Sequence, residues 1–110
     1  MIQFKDIQDY ANKIAERFNP EKIILFGSYA NGQPNEDSDV DLLVITDFEG
    51  KSYEKATEIR LAIEPPFPLD MLVRSSSDFF RMVNELHFFW REVYETGITL
   101  YDREYVEVAA

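Results

Sequence analysis

Two short apolar segments constrain the fold of this chain more than any other feature. Residues 22–26 read KIILF and residues 39–45 read DVDLLVI. Both are too short for a typical helix. Residues 22–26 show no polar alternation, which is the pattern of a strand buried on both faces, and residues 39–45 also have the character of a strand. Because such strands need cover on both sides, we predict a small sheet with helices packed against it.

Segments with helical periodicity lie around these strands. Apolar residues recur at spacings of three and four from residue 7 to residue 18, which predicts an amphipathic helix. Residues 51–64 predict a second helix, which the following pair of prolines ends. A third and longer helix is predicted from an N-cap within residues 75–78 to Gly97, which has the position of a C-terminal glycine.

Three further segments complete the predicted order. Residues 67–73 are typical of a third strand, and Pro68 places its beginning at a sheet edge or outside the pairing. Residues 98–101 can add a short last strand, and the polar segment 28–38 is a loop that can open with one helical turn. This succession of helices and strands indicates the α/β or α+β class.

The composition limits the chemistry that the chain can carry. Its 110 residues are expected to form one domain, 1–110, and the absence of cysteine together with a single histidine excludes disulfides, thiolate zinc sites and cysteine nucleophiles. A net charge of −10 disfavours nucleic acid and anionic membranes as partners. Since no apolar run approaches the roughly 20 residues of a membrane span, we expect a soluble, cytoplasmic protein.

Two aspartates interrupt the second apolar strand. Asp39 and Asp41 are two positions apart, so their carboxylates project from one face with Cα atoms about 6.5 to 7 Å apart. Two like charges on an apolar strand raise a pKa or require a counterion. Mg²⁺ suits this pair, because it takes oxygen ligands and commonly combines one or two carboxylates with substrate phosphates.

Asp70 is a third carboxylate where an apolar strand residue would be expected, between Leu69 and Met71. In two-metal phosphoryl or nucleotidyl transfer, cations about 3.5 to 4 Å apart hold the attacking and leaving oxygens. A third carboxylate can bind one ion and help to deprotonate the acceptor hydroxyl. We therefore predict that Asp70 shares a site with the first two aspartates.

Gly27 and Ser28 directly follow the first strand. If a helical turn begins there, its free N–H groups point at an anion, and glycine lets a phosphate approach the backbone closely. The Ser28 hydroxyl can add a hydrogen bond to a β- or γ-phosphate. Glycine, serine and three aspartates together predict a site for a triphosphate and its metal.

Two competing motifs do not fit the spacing. A P-loop would need lysine followed by serine or threonine, and this chain has Gln33-Pro34 there. An EF-hand that began at Asp37 would need glycine at Leu42 and a bidentate glutamate at Phe48. Both alternatives are excluded.

The motifs described above resemble a known family. Phe26-Gly27-Ser28 is followed after ten residues by Asp39-Val40-Asp41, and Leu69-Asp70-Met71 lies on the next strand. This pattern is similar to that of the minimal nucleotidyltransferases of the DNA polymerase β superfamily, and within them to the small antitoxins encoded beside HEPN-domain toxins. The resemblance extends over essentially the whole chain and implies a palm-like fold, a small mixed β-sheet flanked by helices.

The resemblance also implies a function. Asp39, Asp41 and Asp70 would be catalytic residues and ligands of two Mg²⁺ ions, and Gly27 with Ser28 would bind the nucleotide phosphates. Such antitoxins transfer AMP from ATP to a tyrosine of the toxin and so silence its ribonuclease activity. The implied partner is a HEPN-domain toxin, bound in a hetero-oligomer.

One position departs from the family pattern. Members often have Gly-Ser-x-Ala-Arg-Gly in the loop, and this chain has Asn31 in place of the arginine. Lys51, Lys55 and Arg74 are candidate replacements for that cation, although such side chains are more often solvated surface charges. The departure leaves two alternatives open: a binding module that neutralises the toxin by occlusion, and a nucleotidyltransferase that modifies a small molecule.

The predicted third helix carries more aromatic residues than one core-facing stripe needs, namely Phe79, Phe80, Phe88, Phe89, Trp90 and Tyr94. Helical phase turns Phe80 and Phe88 away from the core, so they form either a partner surface or a face that the chain's own sheet and termini cover. His87, on the same helix, is more typical of packing than of catalysis. The acidic end, residues 101–107, is expected to be flexible.

Overall fold

Helices and strands alternate through the part of the chain that the computed structural model describes, residues 1–85 and 88–105. The helices are α1 (Phe4–Phe18), α2 (Ser28–Asn31), α3 (Ser52–Ala62), α4 (Ser76–Asn84) and α5 (Phe88–Thr96). The strands are β1 (Lys22–Phe26), β2 (Val40–Ile45), β3 (Leu69–Arg74) and β4 (Ile98–Asp102). The mixed helix and strand class predicted from the sequence is confirmed.

The four strands form one mixed sheet in the order β3-β2-β1-β4. β1 pairs antiparallel with β2 and with β4, and β2 pairs parallel with β3. The two apolar segments are therefore the central strands, and both are buried along almost their whole length. β3 lies at an edge and begins directly after Pro68. The predicted burial of residues 22–26 on both faces and the predicted position of the Pro68 segment at a sheet edge are confirmed.

Each face of the sheet carries its own hydrophobic core, because successive strand residues point to opposite faces. On one face, Ile23, Leu25 and Leu42 pack with buried side chains of α1 and α3. On the other face lie Ile24, Phe26, Leu43 and Ile45, together with Phe79, Trp90 and Val93 from α4 and α5. The sheet thus forms a middle layer, and burial of these apolar surfaces is the main contribution to its stability.

The predicted single helix from residue 75 to Gly97 is wrong. The chain forms two helices, α4 and α5, and the ring centroids of Phe79 and Trp90 are 6.0 Å apart. In one straight helix these residues would be about 16 Å apart along the axis. The strands beneath are only 5 or 6 residues long, so two short helices can place their apolar side chains on the sheet where one long helix would extend beyond it.

The exposure predicted from helical phase is confirmed for two aromatic residues of this region. Phe80 and Phe88 keep 53% and 85% of their surface exposed. The chain's own sheet therefore does not cover them, while the terminal residues 106–110 lie outside the described part of the chain. Their role as a surface for a partner protein stays a prediction.

Part of the segment that was expected to be flexible is ordered. Tyr101 and Asp102 belong to β4 and pair with β1, and Lys22 Nζ lies 3.8 Å from Asp102 Oδ2. The prediction of a flexible end is wrong for these two residues, while residues 106–107 and His87 lie outside the described part of the chain. None of the described helices has the length and apolar character needed to cross a membrane.

Two arginines cover the outer edge of β3. Arg60 Nη1 donates to the Leu69 carbonyl and Arg74 Nη1 donates to the Val73 carbonyl, each at 2.7 Å. These carbonyls point away from β2, because the carbonyls of even-numbered residues in this segment are the ones that accept from β2. An added strand would have to displace both guanidinium groups, so the arrangement protects the edge against unwanted pairing.

Ser75 is the N-cap of α4. Its Oγ accepts a hydrogen bond from the Asp78 N–H at 3.2 Å. We expect Ser75→Ala to lower the free energy of unfolding by about 1 kcal/mol, the usual cost of losing an N-cap. The matched variant Ser76→Ala, one position inside the helix, should change it by less than about 0.5 kcal/mol. Urea unfolding curves measure both, and equal losses would contradict the assignment.

Candidate active site

Asp41 lies near the beginning of β2, between one residue of each neighbouring strand. The register pairs it with Phe26 on β1 and with Asp70 on β3. Paired residues on adjacent strands point to the same face, and the strands are about 4.8 Å apart. The fold therefore brings Asp41 and Asp70 side by side, on the face that also carries α4 and α5.

The third aspartate lies within electrostatic reach of this pair. Asp39 is two residues ahead of Asp41, just before β2, and its side chain is exposed, as is that of Asp70. Burial raises the pKa of the Asp41 carboxyl, and the negative charges of Asp70 and Asp39 raise this pKa further. Asp41 is thus the most buried of the three carboxylates, and the negative charges of the other two raise its pKa.

Gly27 follows β1 and lies directly against the Asp41 carboxylate. Its backbone has φ +74° and ψ −153°, a conformation that residues other than glycine rarely adopt. A Cβ atom at this position would overlap Asp41 Oδ2 and lie 3.1 Å from Asp41 Cγ. Glycine is therefore required twice here, for the turn itself and for the approach of the backbone to the carboxylate.

A single helical turn, α2, begins at Ser28, as the sequence analysis allowed. The N–H groups of Ala30 and Asn31 both donate to the Gly27 carbonyl at 3.0 Å. The N–H of Ser28 precedes that of Ala30, the first N–H group to donate within the turn, and N–H groups at the start of a helix can bind a ligand. Asn31, which replaces the family's arginine, accepts a hydrogen bond from the Gln33 N–H at 3.1 Å through Oδ1, so its side chain stabilises the loop.

The donor set fits a divalent cation chemically without forming a closed ligand sphere. Among residues 1–85 and 88–105, no three acidic or histidine side chains surround one point as metal ligands do. Asp41 is nevertheless disfavoured in its ionised form by burial and by two like charges, a cost that a cation would offset. Mg²⁺ needs one or two carboxylates and completes its coordination with water and phosphate oxygens. Asp39 and Asp70 are exposed, so their side chains are free to adjust to such a cation.

The three basic residues considered as replacements for the loop arginine are engaged elsewhere. Lys51 Nζ lies 5.8 Å from the centre of the Tyr53 ring, and Lys55 Nζ lies 2.8 Å from a Glu58 carboxylate oxygen. Arg74 pairs in register with Ile45, four positions along β2 from Asp41 and so about 13 Å away. Its guanidinium lies 5.2 Å from the centre of the Trp90 ring. Arg74 does not replace a cation beside Gly27.

A cavity beside Gly27 was not predicted from the sequence. It has a volume of about 80 Å³ and is lined by Phe26, Gly27 and Asn31 on one side and by Phe89, Glu92, Val93 and Thr96 of α5 on the other. The α5 residues follow the spacing of one helical stripe, which is visible in the sequence. The position of that stripe beside Gly27 depends on α4 and α5 being separate helices.

Comparison with known structures supports the fold. A crystal structure of a provisionally assigned nucleotidyltransferase from Sulfolobus solfataricus superposes with a TM-score of 0.64 at 20% identity, covering 91% of this chain and 80% of that one. A crystal structure of a toxin-antitoxin with AMP-PNP gives a TM-score of 0.50 at 19% identity and covers 93% of this chain and 78% of that one. The architecture is that of a nucleotidyltransferase.

Sequence comparison shows the family. The family model described as polymerase beta nucleotidyltransferase matches residues 5–105. A Methanocaldococcus jannaschii protein, provisionally named protein adenylyltransferase MJ0604, is 30% identical over 105 residues, 92% of this chain and 100% of the relative. Protein adenylyltransferase MntA of Thermococcus cleftensis is 40% identical over 83 residues, 69% of this chain and 82% of the relative. The chain belongs to the polymerase beta nucleotidyltransferase family, which confirms the resemblance.

Proposed function

We propose that this protein is a Mg²⁺-dependent antitoxin that transfers AMP from ATP to a tyrosine hydroxyl of a HEPN-domain ribonuclease toxin. The observation that carries the proposal is the position of Asp41, enclosed between Gly27 and Asp70 with its pKa raised. Such an arrangement combines a backbone turn for phosphate with uncompensated carboxylates for a cation. The names of the two curated relatives, both protein adenylyltransferases, support the transfer to a protein.

The three aspartates would hold the metal. Asp39, just before β2, and Asp41, on β2, would provide oxygens, and Asp70 would provide a further carboxylate from the neighbouring strand. We propose two Mg²⁺ ions, by analogy with two-metal phosphoryl transfer. When bound, the ions would neutralise the phosphate oxygens and the charge that develops on the leaving group.

The chain's own groups would position and activate the reactants. The Ser28 hydroxyl and the backbone at Gly27 would bind the phosphates of ATP, since these two residues follow β1 and Gly27 lies against Asp41. The exposed carboxylate of Asp70 would accept the proton of the acceptor hydroxyl. The hydroxyl oxygen then bonds to the α-phosphorus, the bond from that phosphorus to the bridging oxygen breaks, and pyrophosphate leaves.

The charge of the chain supports a basic protein partner. The net charge of −10 would favour association with a positively charged surface, and a ribonuclease must present such a surface to RNA. The solved toxin-antitoxin neighbour is consistent with an assembly of this kind. We place the reaction in the cytoplasm, in a single minimal domain that needs no direct contact with nucleic acid or membrane.

The test uses ATP labelled at either the α- or the γ-phosphate, Mg²⁺ and the HEPN protein encoded beside this chain. We expect label from the α-position to appear on the HEPN protein and label from the γ-position not to, which separates AMP transfer from phosphorylation. A Tyr→Phe substitution at the modified position of the toxin should abolish the labelling. Label on a metabolite without any protein acceptor would favour the small-molecule alternative, and full neutralisation of the toxin without label would favour occlusion.

A further inference from the structure

We propose that the cavity beside Gly27 holds the base of the nucleotide and that the ring of Phe89 is its stacking surface. The inference rests on the proposed function, because it concerns the same nucleotide. Gly27 lines the cavity and also lies directly against the Asp41 carboxylate. A nucleotide whose phosphates lie at Gly27 and Ser28 can therefore extend its base directly into this cavity.

Phe89 is held in place and yet remains available to a ligand. Its ring meets the Phe26 ring edge to face at 5.8 Å and the Trp90 ring edge to face at 5.0 Å between centroids. These two contacts fix the ring orientation, but 49% of the residue surface stays exposed. A fixed, half-exposed aromatic ring beside a phosphate site is suited to stack on a planar base.

The rim of the cavity carries polar groups from two elements. Asn31 contributes an amide from α2, while Glu92 and Thr96 contribute a carboxylate and a hydroxyl from α5. The Thr96 hydroxyl donates to the backbone carbonyl of Glu92 at 2.7 Å, so this hydrogen bond does not involve the Glu92 carboxylate. An ionised carboxylate can only accept hydrogen bonds, so this rim favours a base with an exocyclic amino group, such as adenine, over uracil.

The other exposed aromatic side chains nearby do not share this position. Tyr94 lies 6.4 Å from Phe79 and lines a different cavity, with Lys22 and Ile45, at the opposite end of the central strands. It is also on α5 and is 58% exposed. Tyr94→Ala is therefore a matched control that removes a half-exposed aromatic ring from the same helix without touching the cavity beside Gly27.

Titration calorimetry with ATP and with inorganic triphosphate tests the proposal, because triphosphate has no base. We expect Phe89→Ala to weaken ATP binding by about tenfold, the scale of one lost base-aromatic stack, and to leave triphosphate binding unchanged. Tyr94→Ala should bind both ligands as the unchanged protein does. Wild-type protein should also bind ATP more tightly than UTP.

The second variant Phe89→Leu retains apolar volume but has no aromatic face, and it should weaken ATP binding similarly if Phe89→Ala fails to fold. Equal ATP affinity in wild type and either folded Phe89 variant would overturn the inference while the proposed function stands. Binding of triphosphate but not ATP would also overturn it. If wild-type protein bound neither ligand, the proposed function itself would fall together with the inference.

Discussion

Gly27→Ala is expected to abolish AMP transfer and to lower the free energy of unfolding by about 3 kcal/mol. The left-handed backbone at φ +74° strains any residue with a Cβ by roughly 1–3 kcal/mol. The new methyl group would also overlap Asp41 Oδ2, and overpacking of this kind typically costs about 1–3 kcal/mol. Because the side chain of Asp41 would have to move, the substitution should impair AMP transfer as well as lower the stability of the fold.

Gly32→Ala is the matched control for this prediction. Gly32 has a similar φ of +82°, but a Cβ there would meet nothing within 4 Å. The control should lose about 1–2 kcal/mol from backbone strain and keep most of its transfer activity. Urea unfolding and the α-label assay measure both effects. If the two variants lost equal stability and equal activity, the contact between Gly27 and Asp41 would have no role.

Asp41→Asn is expected to raise stability at neutral pH while transfer falls by about a hundredfold or more. The amide removes a partly buried charge that lies beside Asp70 and within the field of Asp39, so an unfavourable interaction disappears from the folded state. The same change removes a proposed metal ligand, and a catalytic metal supplies several kcal/mol of transition-state stabilisation. Opposite changes in stability and activity are typical of a residue that functions at a cost to the fold.

The pH dependence of stability gives the same prediction an independent measurement. The pKa of Asp41 in the folded state lies above its ordinary value of 3.8, so between these two values the folded state binds more protons than the unfolded state. The free energy of unfolding therefore falls as pH rises through this interval, and the loss persists at higher pH. In buffer with a metal chelator, Asp41→Asn should show a smaller fall over this interval than wild type.

Asp37→Asn is the control for the change in net charge. Asp37 is exposed in the loop before β2, and its backbone N–H donates to Asn35 Oδ1 at 2.8 Å. Its substitution removes one negative charge without changing the three aspartates of the site. We expect wild-type transfer activity and a change in unfolding free energy below about 0.5 kcal/mol. An equal gain in stability in both variants would assign the effect at Asp41 to net charge alone.

Local patterns predicted most of the elements because each depends on residues that are close in sequence. β1 spans residues 22–26 as predicted, since five consecutive residues without alternation are followed by Gly27. The helices α1 and α3 follow from their apolar spacing and the prolines beyond them. Asp39, Asp41 and Asp70 were recognisable as candidates because each places a charge where the strand pattern calls for an apolar residue.

The sequence by itself determined the two apolar strands, the presence of helices that cover a small sheet, and the acidic residues that are candidates for the site. Only the tertiary structure decided that α4 and α5 are separate helices, because the length of a helix on this face depends on the size of the sheet beneath it. The tertiary structure also decided that Gly27 lies against Asp41 and that Phe89 lines a cavity beside Gly27. Contacts between residues far apart in sequence depend on strand register and on how separate helices pack, which no local periodicity records.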